Sequence, residues 1–165
     1  MESRVNVITL AVENLERALR FYRDGLGFTS GRILGTEWTD EATGANGAIA
    51  MFELDGGQIL SLYPRIDLAK DAEIRIGPPQ SGEFSLAQLV HSRGEVDQLL
   101  RTAESAGAAV TRAHDRPWGI YSGYFRDPDG HLWEIIHHPS RVPSAGAPVR
   151  ADAHHDRKGM LARAQ

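Results

Sequence analysis

The stretch "YSGYFRDPDGHLWEII", residues 121–136, carries one carboxylate, Glu134, on an otherwise apolar strand. Strand alternation puts Leu132, Glu134 and Ile136 on one face and Trp133 and Ile135 on the other. An acid between two aliphatic residues lines a cleft or sits at an edge facing water. In a cleft it would be a metal ligand, a general acid or base, or a hydrogen-bond acceptor for a bound molecule. Just upstream, "RPWGIYSGYF" (116–125) places Gly119 and Gly123 inside a strand pattern. Glycine there marks a bulge or a close backbone approach. Trp118 and Tyr121 flank the first of them and suit a wall that stacks on a planar ligand, or else plain core packing. Tyr124 shares parity with Ser122 and Arg126, so its hydroxyl can reach a ligand. His114 precedes "DRPWG" in a loop and can cap a pocket. Asp127 and Asp129 belong to "DPDG", a turn by its own chemistry, because Pro presets φ and Gly accepts positive φ.

Composition narrows the chemistry. The 165 residues contain no cysteine, so disulfides and thiolate nucleophiles are excluded. A metal would need His, Asp, Glu, Gln or water. A net charge of −4 leaves no basic footprint for nucleic acid. No apolar run approaches the roughly 18 residues that cross a bilayer, and "MESRVNVITL" shows no signal segment. A cytoplasmic location is the resulting expectation.

The elements that must position these residues come in two similar sets. Residues 5–12 read as a strand rich in β-branched residues. Asn14 then offers a helix N-cap, and Leu15, Ala18, Leu19 and Tyr22 form one apolar helical face. Gly25 and Gly27 end that helix, and strands at 28–34, 48–54 and 58–63 follow. Residues 64–83 read as a connector punctuated by Pro64, Pro78 and Pro79, with a short helix around 67–71. Then comes a strand at 84–92, and a helix whose apolar face is Val96, Leu99, Leu100 and Ala103. Strands at 109–111, 119–126 and 131–137 complete the second set.

Each half therefore reads β-α-β-β-β. An offset of 81 superimposes the two helical faces and sends Val7 to Gln88. In the closing hairpins an offset of 73 sets Ser61 opposite Glu134; choosing Gly56 as the turn partner would put Leu60 there instead. The fold class expected is α+β: tandem β-α-β-β-β modules forming an open barrel-like cleft. One domain spans 1–139, with modules at 4–63 and 84–139 around the connector. Residues 140–165 are expected to be a flexible tail.

This layout resembles the vicinal oxygen chelate superfamily, which includes glyoxalase I, extradiol dioxygenases, and fosfomycin and bleomycin resistance proteins. "ITLAVENLERALRFYRDGLGF" resembles its opening motif and "GYFRDPDGHLWEI" its closing hairpin. The resemblance implies a small-molecule cleft between modules and, in metal-dependent members, four ligand positions. These fall on Val7, Ser61 (or Leu60), Gln88 and Glu134. Glu134 matches the usual glutamate. Gln88 offers only an amide oxygen, Ser61 is a poor ligand and Val7 has none to give. The two imidazoles that a ferrous facial triad requires are missing from these positions.

The reading that follows is a protein that binds, or acts on, a small organic ligand at a degenerate metal site. Glu134 would be its acid/base, with Trp118, Tyr121, Gln88, Ser61 and His114 around the ligand. No cofactor is expected; if a divalent ion binds, Gln88 and Glu134 hold part of it. The alternative is a metal-dependent lyase or dioxygenase whose missing ligands come from His114 or a partner subunit. A homodimer would cover open sheet edges.

Overall fold

The computed structural model describes residues 5–29, 31–79 and 84–141. The expected tail falls almost wholly outside them. Among the described residues there are nine strands and three α-helices. The first module contains β1 (Val7–Val12), α1 (Leu15–Arg20), β2 (Arg32–Leu34), β3 (Ile49–Glu53) and β4 (Ile59–Pro64). The connector supplies α2 (Arg65–Asp71), two residues longer at its start than the sequence suggests. The second module contains β5 (Leu86–Val90), α3 (Arg93–Ser105), β6 (Ala109–Val110), β7 (His114–Asp115), β8 (Tyr121–Arg126) and β9 (Leu132–His137). The strand expected at 119–126 begins only at Tyr121, because Pro117–Gly119 form a 3-10 turn. The chain is thus α+β with two open sheets.

The sheets have the same plan. The first runs β1-β4-β3-β2 and the second β5-β9-β8-β6, with β7 also on β8. In each, the opening strand lies parallel to the last, and the other pairs are antiparallel.

The first and third helices start on side-chain caps. Asn14 Oδ1 accepts from Arg17 N at 2.8 Å. Ser92 Oγ accepts from Glu95 N at 3.2 Å, and Glu95 reaches back to His91 N at 3.0 Å, a reciprocal cap that satisfies orphan donors of the first turn. After Arg20 the first helix widens into a π turn, Phe21–Gly25, closed by Leu26 N to Phe21 O at 2.9 Å. That turn carries Phe21 and Tyr22 into the centre of the molecule, where both are buried.

One core joins the modules. Leu10, Val12, Phe52, Leu60 and Leu62 from the first sheet share it with Val90, Phe125, Trp133 and Ile135 from the second. Tyr22 packs edge-on to Phe21 and Phe28 and against Phe52 and Trp133. Its hydroxyl donates to Asp127 at 2.6 Å and accepts from Trp133 Nε1 at 3.1 Å, so a first-module side chain is fastened to the "DPDG" turn. Asp129 of the same turn accepts from Glu13 N (2.9 Å) and Arg17 Nη2 (2.6 Å). Each sheet turns its helix-covered face to this common core and its other face away from it.

Candidate functional site

Alternation in β9 buries Trp133 and Ile135 in the core and leaves Leu132, Glu134 and Ile136 half-buried on the outer face. Glu134 therefore does not lie on the core side. Its neighbour across the ladder is Tyr124. Burial first, then the neighbouring Glu134 carboxylate, push the Tyr124 phenol above its usual range, and Arg116 pulls it partly back. Ser122, one pair further along, is fully buried on the same face and accepts from Arg116 Nε. The Arg116 guanidinium lies 5.5 Å from the centre of the Tyr124 ring. His114 pairs with Ser122 and so shares this face, exposed at its margin. The outer face of β7-β8-β9 thus gathers an acid, a phenol, a hydroxyl, a guanidinium and an imidazole.

The remaining candidates fall elsewhere. Gln88 pairs with Ile135, and Ala87 with Glu134. Gln88 therefore has the parity of Leu86 and Val90, on the face opposite Glu134. Tyr121 also turns to the helix side: its hydroxyl donates to Asp97 of α3 at 2.8 Å, and Arg93 stacks on its ring at 4.2 Å. Trp118 is 85% exposed on a left-handed backbone (φ 65°), so within one chain it walls no cleft. Ser61 is fully buried on the outer face of the first sheet, between Thr9 and Met51, with its hydroxyl unpartnered among the described residues. Val7 lies on that same face, 47% exposed. No hydrogen bond or ion pair among the described residues links the Ser61 face to the Glu134 face.

Sequence reasoning left Arg116 out of the site. The signal was available, since "DRPWG" puts a guanidinium one strand away from Glu134, but only the β7-β8 pairing shows which way it turns.

The register also tests the family's metal positions. Thr9 pairs with Ser61 and Ala87 with Glu134. The hairpin offset of 73 and a strand offset of 78 are mutually consistent, and the offset of 81 for β1 and β5 is not. Val7 then corresponds to Ser85, and neither supplies a metal donor of useful strength. Among the described residues no three His, Asp or Glu side chains gather around a common point. The residues present fit a divalent ion poorly within one chain.

A cavity of about 350 Å³ opens at the module junction instead, lined by Ala11, Arg65, Gly77, Pro78, Pro79, Asp129 and His131. Most of its polar groups are engaged in holding the fold. His131 Nδ1 lies 2.8 Å from Asp127, Arg65 donates to Gly77 O, and Asp129 is tied to α1 with one buried oxygen left over. None of the candidate residues reaches it.

Comparison with known proteins agrees with this architecture. The sequence profile of the Glyoxalase/Bleomycin resistance protein/Dioxygenase superfamily matches residues 4–135. Glutathione transferase FosA of Serratia marcescens is 26% identical over 135 residues, covering 82% of this chain and 81% of that protein. A glyoxalase-related enzyme from Fulvimarina pelagi superimposes with a TM-score of 0.70 at 28% identity, over 88% of this chain and 96% of the other. Lactoylglutathione lyase from Agrobacterium tumefaciens has a TM-score of 0.55 at 23% identity, over 82% and 94%, a likeness of fold.

Proposed function

The chain belongs to the Glyoxalase/Bleomycin resistance protein/Dioxygenase superfamily, and on that premise we propose that it binds a small organic molecule on the outer face of β8 and β9, using side chains in place of a tightly held metal. The observation that carries this reading is the cross-strand Tyr124–Glu134 pair, set on an open sheet face beside Arg116 and Ser122. A carboxylate has about four acceptor positions, so Glu134 can accept a ligand hydroxyl or amine. If a reaction follows, Glu134 is positioned to take a proton from that ligand, with the Tyr124 phenol beside it. His114 stands at the rim.

A cleft needs a second wall. Within one chain the outer face of the first sheet points elsewhere, so the reading places that wall on a second copy. Thr9 and Met51 of one protomer, both exposed on that face, would face Glu134 and Tyr124 of the other. The same geometry gives the metal-dependent alternative its one foothold, because ligands missing from one chain would come from the other.

Two measurements test the reading. Fragment screening by NMR is expected to give hits whose shifts cluster at Ser122, Tyr124 and Glu134, and to lose them in Glu134→Gln. Hits that map only to the module junction would reject it. Metal analysis of protein purified without added ions is expected to give far less than one equivalent of zinc, nickel, manganese or iron. A full equivalent would favour the metal-dependent alternative.

A further inference from the structure

We propose that the ligand of the β8-β9 face carries an oxyanion, a carboxylate or a phosphoryl group, and that the fork of Arg116 receives it. The inference rests on the reading of that face as the binding site and names the class of molecule it takes.

Arg65 and Arg116 are the half-buried arginines among the described residues. Arg65 is satisfied: it donates to Gly77 O and meets Glu13 at 3.5 Å. Arg116 is not. Its Nε is used by Ser122 Oγ, and its backbone N–H donates to Ile120 O at 2.8 Å. Its two terminal nitrogens have no hydrogen-bond or ion-pair partner among the described residues. Other arginines of the fold pair with acids, Arg17 with Asp129, Arg23 with Asp24 and Arg93 with Asp115. Glu134 shares this sheet face, yet no ion pair joins it to Arg116 among the described residues; Tyr124, its cross-strand neighbour, lies with its ring beneath the guanidinium.

This arrangement is fixed before any ligand arrives. The buried Ser122 hydroxyl holds Nε, and the aromatic ring supports the guanidinium plane from one side. What stays open is the pair of parallel N–H groups that match the two oxygens of a carboxylate or phosphate. Partial removal from water strengthens such a contact relative to one on a free surface. A metal would attract a ligand oxygen by its charge; here the guanidinium supplies the positive charge, and it selects oxyanions over neutral carbonyls.

Acetate, inorganic phosphate and neutral acetamide are the probes, titrated at constant ionic strength with chloride as the balancing ion. The readout is the Arg116 Nε–H cross-peak, assigned by its disappearance in Arg116→Lys, together with the backbone amides of Ser122 and Tyr124. Acetate or phosphate is expected to shift these signals saturably, and acetamide and chloride are not. Whichever oxyanion saturates at lower concentration identifies the source. Arg116→Gln is expected to weaken oxyanion binding by about 10-fold or more, with Arg116→Lys in between. Equal responses to acetate and acetamide, saturation by chloride, or unchanged affinity in Arg116→Gln would overturn the proposal. Should Arg116→Gln fail to fold for want of the Ser122 contact, the acetate–acetamide comparison in the unaltered protein still decides. Neutral fragments that map to Tyr124 and Glu134 with no oxyanion preference would remove the anion and leave the site. Fragments that map nowhere near this face would remove both.

Discussion

At the scale of single residues, Trp118 and Asp127 show how far a side chain's chemistry depends on its backbone. Trp118 looks like a ligand wall in sequence, but a positive φ turns it outward. A non-glycine residue in the left-handed region costs roughly 1–2 kcal/mol, and glycine gives back part of that as lost chain freedom. Because the ring is 85% exposed, its removal forfeits little burial. Trp118→Gly is therefore expected to leave stability unchanged or to raise it by up to about 1 kcal/mol in denaturant unfolding. A clear loss would mean that the ring packs on something in solution. Asp127 is the opposite case. Burial alone would raise its pKa, yet the His131 ring, the Tyr22 hydroxyl and the His131 backbone N–H hold it below the ordinary 3.8. A lowered folded-state value gives stability that is complete above the unfolded-state pKa and is lost as pH falls through the folded one. Asp127→Asn is expected to cost about 1–3 kcal/mol at neutral pH. It should also flatten the decline of unfolding free energy below about pH 4. An unchanged acid limb would show that this carboxylate does not govern it.

At the scale of elements, the helices and strands were not equally legible. The modules, the Asn14-capped first helix, the second module's helix and the closing hairpin follow from apolar period and turn chemistry, and the structure has them. The register of β5 does not follow. Asn14 and Ser92 are the two caps, 78 residues apart. α3 simply begins one turn earlier relative to its apolar face. A helix regains the same face after three or four residues, so an offset of 81 matches the faces of α1 and α3 as well as 78 does. A strand has period two, and the same three-residue slip reverses every side chain. That slip is why Gln88 reads as a partner of Glu134 in sequence and lies on the opposite face in the fold. Arg116 escaped notice for a related reason: β7 is two residues long and carries no period. Gly123 was legible as a close approach, and the structure shows to what. A Cβ there would lie 2.6 Å from Leu100 Cδ1 and 3.2 Å from the Ala113 backbone. Gly123→Ala crowds the Leu100 side chain of α3 and the Ala113 backbone, and we expect a loss of about 1–3 kcal/mol. A neutral substitution would show that α3 has room to shift.

At the scale of the whole molecule, the shared core decides how a cleft can form. The aromatic cluster about Tyr22 occupies the helix-covered faces of both sheets, so the faces bearing Ser61 and Glu134 are turned away from it. Those outer faces carry exposed apolar side chains: Val7 at 47%, Leu34 at 40% and Met51 at 38% on the first sheet, and Leu89 at 38% on the second. Apolar groups clustered on an open sheet mark a surface that another chain can cover. The absence of any native cysteine makes a clean test available. Met51→Cys and Leu89→Cys are prepared as separate single variants, mixed in equal amounts, allowed to exchange, and treated with a short bis-maleimide. If the first sheet of one copy faces the second sheet of another, the mixture gives a covalent dimer on a denaturing gel and neither variant does so alone. A chain carrying both cysteines distinguishes the remaining arrangements. An intrachain link without dimer would mean that the two faces meet inside one molecule. No link at all would mean that neither sheet face has an opposing wall within reach of the linker.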